Sequence, residues 1–238
     1  MRQLWLTTAL LLAAPAFADM SMNDDPVTTR LYVQRLEYRD GIGSGNGDDS
    51  FIWDDAQIRI GRDLNKVVLR SSGAVEDGTV EEGRIGLLYS RAVLPYWDLQ
   101  LGWRHDFKPE PQRDWFSIGL AGIAPYEFDS DIFASIGRSG RVELDLEFER
   151  ELLLTQRWVI APAIEANWSS KDDPEVGTGS GLTELELGLR VRYRINKNLA
   201  PYAGIAWTGL FGDTADFAKL EDQDTRAWQW TIGIKAWY

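Results

Sequence analysis

The sequence predicts an all-β protein, a transmembrane antiparallel up-and-down β-barrel of about twelve strands, with about ten as the alternative. Three observations predict it. The chain opens on an export signal. It closes on a strand of strict apolar–polar alternation that ends in an aromatic residue. The same alternation recurs between those two points. Composition agrees: 22 Gly and 11 Trp in 238 residues suit turns and strands better than helices.

The first element is a secretory leader. Arg2 supplies a positive start, Leu4 to Ala14 form a short apolar run, and Ala16-Phe17-Ala18 is an A-x-A cleavage site. The expected organisation is a cleaved signal peptide at 1–18, a short flexible tail at 19–28 and an outer-membrane barrel at 29–238. Beyond residue 18 no apolar run approaches the roughly 18–20 residues of a membrane-spanning helix. The mature chain is therefore expected in the periplasm, outside the cell, or in the outer membrane as strands. There is no Cys, so disulfides and thiolate chemistry are excluded. A net charge of -12, from 25 Lys+Arg and 37 Asp+Glu, argues against nucleic acid as a partner.

Strand candidates follow at 29–39, 54–62, 65–75, 79–92, 96–107, 114–124, 127–137, 140–152, 157–169, 182–194, 199–210 and 226–238. The 54–75 region is weakly patterned, which is why ten strands remain an alternative. The last strand is the clearest. Trp228, Trp230, Ile232, Ile234, Ala236 and Tyr238 share one face, and Ala227, Gln229, Thr231, Gly233, Lys235 and Trp237 share the other. In a barrel the apolar face meets lipid, the polar face lines the lumen, and Trp and Tyr gather at the interfaces. Turn chemistry stands at Asp63-Leu64-Asn65, Asp77-Gly78, Ser139-Gly140 and Asn196-Lys197-Asn198. The polar stretches 40–50, 171–181 and 212–224 are expected as loops. With both termini periplasmic, connections from odd to even strands are extracellular. Gly43-Ser44-Gly45-Asn46-Gly47 lacks the Lys and the following helix of a phosphate-binding loop, so it is a flexible loop.

The sharpest chemical feature is an acidic ladder, Glu143, Asp145, Glu147 and Glu149. On a strand, residues i and i+2 share a face roughly 6.5–7 Å apart. Four carboxylates therefore make one negative strip, which Glu184 and Glu186 extend, with Glu165 and Asp98 as further contributors. Lining an open lumen, the strip attracts cations. Paired with Arg190, Arg192, Arg104 and Arg59 across the lumen, it is an ordinary filled interior. His105 is the only His, so sites of two or three His cannot form within one chain. It lies beside Asp106 with no nucleophile elbow around it, and no enzymatic activity is expected. Met20 and Met22 offer two soft thioethers suited to Cu(I) at the start of the mature chain.

Several ordered strings resemble the copper resistance protein B family of outer-membrane proteins. They begin with Leu36-Glu37-Tyr38-Arg39-Asp40-Gly41, Leu88-Tyr89-Ser90-Arg91-Ala92-Val93, Tyr96-Trp97-Asp98-Leu99-Gln100 and Arg104-His105-Asp106-Phe107. They continue with Ala124-Pro125-Tyr126, Leu152-Leu153-Leu154-Thr155-Gln156-Arg157 and Asp172-Asp173-Pro174-Glu175. The strongest are Gly179-Ser180-Gly181-Leu182, Leu185-Glu186-Leu187-Gly188-Leu189-Arg190, Ala200-Pro201-Tyr202 and Phe211-Gly212-Asp213-Thr214-Ala215-Asp216-Phe217-Ala218. The resemblance covers the chain from about residue 30 onward.

It implies a barrel in the bacterial outer membrane that helps copper leave the periplasm or sequesters it. The copper ion is transported or weakly bound rather than held as a tight cofactor. Membrane lipid and copper are the implied partners, with a periplasmic multicopper oxidase as a further candidate. Family members often carry a Met- and His-rich segment ahead of the barrel. Here only Met20 and Met22 stand there, with no His, which shifts the expected copper contacts toward the lumen. The resulting candidate metal residues are Met20, Met22, His105, Glu143, Asp145, Glu147, Glu149, Glu184 and Glu186. The competing expectations are a structural or adhesive barrel with a plugged lumen, and a lipid enzyme built on His105.

Overall fold

Period-two alternation makes each segment a ribbon with one apolar and one polar face. Such ribbons can satisfy every backbone hydrogen bond in lipid only by pairing in a ring. The structure is a computed structural model that describes residues 25–42, 49–76 and 78–238. The expected leader, most of the 19–28 tail with Met20 and Met22, the Gly43 to Gly47 loop and Asp77 lie outside the described residues.

The strands are β1 (Thr28–Gly41), β2 (Ser50–Gly61), β3 (Asn65–Glu76), β4 (Thr79–Leu94), β5 (Trp97–Lys108) and β6 (Arg113–Ala124). There follow β7 (Phe128–Gly137), β8 (Val142–Arg150, prolonged past Glu151 by Leu152–Leu153), β9 (Trp158–Ser169), β10 (Gly181–Tyr193), β11 (Leu199–Leu210) and β12 (Arg226–Trp237). Each pairs antiparallel with its sequence neighbours, and β12 pairs with β1, with Tyr32 opposite Trp237 and Gly41 opposite Gln229. The twelve-strand barrel is therefore closed and has no free edge. The weakly patterned region forms both β2 and β3, which disposes of the ten-strand alternative.

Outward-facing side chains are apolar and exposed. Trp228, Trp230, Ile232, Ile234 and Tyr238 of the last strand are joined by Leu87, Tyr89, Trp103, Phe116 and Ile118 around the wall. No helix among the described residues is long and apolar enough to cross a membrane. Polar side chains go inward: Arg35, Glu37, Gln57, Gln100, Arg190, Arg192 and Thr231 are buried almost completely. The molecule is thus apolar outside and polar inside, as a barrel in the outer membrane must be. The three longest connections, 42–49, 170–180 and 211–225, all lie at the end opposite the start of β1 and the finish of β12, the arrangement of periplasmic turns and extracellular loops.

Two stretches expected as plain loops carry structure. Residues Gly212–Leu220 form a helix, α1, inside the 212–224 stretch. Asp213 in its first turn and Lys219 in its last complement the helix dipole. Ala215 and Ala218 are buried, and small side chains let the helix lie close against its surroundings. The backbone N–H of Gly179 donates to Thr214 Oγ1 at 2.8 Å. A Cβ on Gly179 would come within 2.4 Å of the Thr214 nitrogen, so only Gly permits that approach. The 171–181 stretch holds a short 3-10 turn at Pro174–Val176 and a bridge between Asp173 and Thr178.

Two of the sheet's irregularities turn additional polar side chains into the lumen. The β1–β12 register shifts between Val33 and Leu36, and the β2–β3 register shifts between Trp53 and Ala56. Asp55 there adopts a φ of 47°. At each bulge two consecutive residues, Gln34-Arg35 and Asp54-Asp55, turn to the inside, and Arg35 stands opposite Asp54.

Candidate functional site

Alternation along β8 sends Glu143, Asp145, Glu147 and Glu149 into the lumen, the face assigned to them from sequence. Glu165 on β9 is in register with both Glu147 on β8 and Glu186 on β10. Three carboxylates in one cross-strand row repel one another unless cations stand among them. Burial raises that cost further, because each charge has left water.

The cations come from across the barrel. Arg104 of β5 bonds Glu143 and lies 3.0 Å from Asp145, and Arg84 of β4 lies 3.6 Å from Asp145. Arg35 of β1 meets Glu147 at 3.2 Å and also bonds Glu165 and Asp54. Arg192 Nη1 donates to Glu149 at 2.6 Å, and Lys235 Nζ donates to the same carboxylate at 3.2 Å. Arg39 grips Glu186 with two bonds of 2.7 and 3.0 Å. Glu37, wholly buried, accepts from Arg190 at 2.9 and 3.0 Å, from Arg39 at 2.6 Å and from the Tyr202 hydroxyl at 3.0 Å. Charge-assisted and bidentate bonds of this kind offset the desolvation of both partners.

The paired-ladder reading is thus realised in large part, through Arg104, Arg190 and Arg192. Arg59 is the exception: its Nε donates to Gln57 at 2.6 Å and its guanidinium lies over the Tyr32 ring. Glu184 accepts a 3.3 Å bond from Asn167. Asp98 meets Lys66 at 3.4 Å and accepts from Ser90 at 3.2 Å.

His105 does not join the acids. It shares the outer face of β5 with Trp103, whose ring it stacks on at 5.4 Å, and its Nδ1 lies 2.9 Å from Asp114. The wall of the barrel separates it from the ladder. Among the described residues no three His, Cys, Asp or Glu side chains are arranged to hold a metal ion. Arg35, Asp54 and Asp55 are not singled out by the sequence, and Glu37 and Arg39 enter it only within the string Leu36 to Gly41 that carries the resemblance. The one available signal was the lapse of alternation around 34–35 and 54–55.

Between these pairs the lumen is a series of cavities. One of about 670 Å³ opens at the periplasmic end beside Asp129, Glu149 and Lys235. Smaller ones of about 160 and 270 Å³ lie further along, against Asp54 and Glu165. The extracellular end opens into a space of about 1360 Å³ edged by Glu76, Glu81 and Glu82.

A latch of charges stands at that outer end. Asp173, buried in the 170–180 connection, accepts from Arg113 at 3.0 and 3.1 Å and bonds Arg141, and Arg113 also reaches Glu175 at 2.8 Å. Burial alone would raise the Asp173 carboxyl, but the hydrogen bonds from Arg113 and Arg141 outweigh it and hold the group below its ordinary range. These bonds tie the connection to β6 and to the β7–β8 hairpin.

Three comparisons place this geometry. The family model described as Copper resistance protein B precursor (CopB) matches residues 27–238. Copper resistance protein B of Escherichia coli is 35% identical over 218 residues, 92% of this chain and 72% of that protein. The Copper resistance protein B homolog of Pseudomonas syringae pv. tomato is 35% identical over 217 residues, 91% of this chain and 72% of that protein. Among solved structures the NanC porin superposes with a TM-score of 0.52 at 12% identity, over 87% of this chain and 98% of that one, a likeness of fold alone.

Proposed function

The chain belongs to the copper resistance protein B family, and from that premise we propose that it passes copper out of the periplasm through its acidic lumen. Its role is copper resistance, exercised from the outer membrane. Copper is cargo in this reading. The supporting observation is the run of carboxylates along the lumen: Asp129 and Glu149 at the periplasmic end, Glu147, Asp54 and Glu165 in the middle, and Glu82 at the outer end. Such a lining lowers the barrier for a cation and repels anions. Conduction needs sites that bind weakly and in series, and carboxylates already shared with arginines meet that need. Met20 and Met22 are proposed to take up Cu(I) at the periplasmic mouth, and a periplasmic multicopper oxidase is the proposed partner there. No step in this reading calls for catalysis by the barrel.

The deciding experiment is copper tolerance of a deletion strain complemented with the wild-type gene or with Glu143→Gln, Asp145→Asn, Glu147→Gln and Glu149→Gln combined. Wild type is expected to restore tolerance and the neutralised barrel, once heat-modifiable migration on gels shows it folded, to restore little. Full restoration by the neutralised barrel would remove the lumen from copper passage. A second reading, a structural or adhesive barrel without transport, is favoured by the ion pairs that cross the lumen. It predicts no single-channel conductance in planar bilayers, and a ligand for the outer loops.

A further inference from the structure

Arg35 reaches carboxylates on four other strands: Asp54 of β2, Glu147 of β8, Glu165 of β9 and, at 3.7 Å, Glu186 of β10. Glu186 has Arg39 and Arg190 as well. Asp54, Glu147 and Glu165 share Arg35, and among the described residues no other cation lies within ion-pair distance of them. Three carboxylates thus share one guanidinium at ion-pair distance, and Arg84, which lines the same two cavities as Asp54 and Glu165, pairs with Asp145 instead. Exposure divides the cluster unevenly. The Arg35 side chain is 2% exposed, while those of Asp54, Glu147 and Glu165 keep 25%, 22% and 24%. The cation is sealed in and the anions face open space.

That space is the path. Glu147 lines both the periplasmic cavity of about 670 Å³ and the cavity of about 160 Å³. Asp54 and Glu165 line both the 160 Å³ cavity and the next, of about 270 Å³. The partners of Arg35 thus stand at both ends of the smallest of these three compartments. The bulges at Gln34-Arg35 and Asp54-Asp55 put them there, each turning an additional charged side chain inward.

We propose that Arg35 is a tethered counter-ion that closes the lumen: its guanidinium occupies the place of a permeating cation among Asp54, Glu147 and Glu165, and a divalent cation advances by displacing it. The proposal rests on the passage reading above and names the residue that regulates it. A divalent ion carries twice the charge of the guanidinium, so in its place it cuts the excess over the three carboxylates from two negative charges to one. Arg35 returns behind it because its side chain is fixed to β1.

The test is conductance of the purified barrel in planar bilayers under a KCl gradient. Wild type is expected to conduct weakly. Arg35→Gln is expected to raise conductance several-fold and to move the reversal potential toward cation selectivity. Arg138→Gln, in the β7–β8 hairpin outside the lumen, should match wild type. Heat-modifiable migration on gels establishes that each variant is folded. If Arg35→Gln alone fails to fold, the Arg35→Gln, Glu165→Gln double variant removes one unpaired carboxylate and is expected to open as well. Folded variants with wild-type conductance and selectivity would overturn the proposal, as would a wild-type barrel already conducting as strongly as the variants. Opening by Arg35→Gln, together with full copper tolerance restored by the neutralised ladder, would keep the gate and sink copper passage.

Discussion

Arg35 Nη2 of β1 donates to Glu147 Oε1 of β8 at 3.2 Å, joining two strands that share no backbone ladder. The barrel wall is closed by backbone bonds between neighbours. Its interior is closed separately, by side chains that meet across it. The two kinds of closure carry different consequences for mutation.

Glu149 shows the interior kind. It holds Arg192 and Lys235, both nearly buried, while Glu151 contacts both from the rim at 3.1 and 3.4 Å. Glu149→Gln leaves two buried cations with the rim carboxylate alone. A loss of about 3 kcal/mol is expected, near the lower end for a broken buried pair because Glu151 remains. Urea unfolding in detergent micelles measures it. A loss below about 1 kcal/mol would mean that the pair is solvated and contributes as a surface bridge does.

The outer latch gives a pH dependence. Arg113 and Arg141 depress the Asp173 carboxyl in the folded state, so ionised Asp173 stabilises the latched connection. That contribution is fully present above the ordinary carboxylate value of about 3.9 and is lost as pH falls through the depressed one. Protease cleavage within 170–180 is expected to stay slow from neutral pH down to that region and to quicken below it. Asp173→Asn should be cut quickly at every pH. Equal cleavage of wild type and variant at neutral pH would remove Asp173 as the tie.

Met20 and Met22 offer a different check. With the lumen carrying copper, Met20→Leu together with Met22→Leu should keep most of the copper tolerance that the wild-type gene restores to a deletion strain. A drop to the level of the deletion would move the essential contact from the lumen to the thioethers.

His105→Ala should leave copper tolerance and lipid turnover unchanged, because the ring lies on the outer face with Trp103 and Asp114. The lost contacts are the Trp103 stacking and the Asp114 bond on the outer face, so a small fall in thermal stability is the expected effect. Altered lipid turnover in the folded variant would restore the case for chemistry at this residue.

Strand existence and facing were legible in the sequence wherever alternation ran unbroken. The expected 199–210 strand coincides with β11, and the faces assigned to Trp228 through Tyr238 are those observed. The acidic ladder was legible for the same reason, since side-chain direction on a strand is fixed by parity. Helix α1 was missed because nine residues of mixed polarity give little period; its burial against the barrel end supplies what propensity does not.

The sequence by itself determined a barrel, its number of strands within two, and the inward course of Glu143, Asp145, Glu147 and Glu149. Only the tertiary structure decided that Arg35 faces them. Parity counted from Tyr32 puts Arg35 on the lipid side, and parity counted from Glu37 puts it inside. The bulge between Val33 and Leu36 resolves the conflict by letting Gln34 and Arg35 both turn inward. A bulge costs one ladder position and inserts a residue without breaking the strand, so composition hardly records it. The partners it creates lie 19 to 151 residues away along the chain and meet only when the barrel closes.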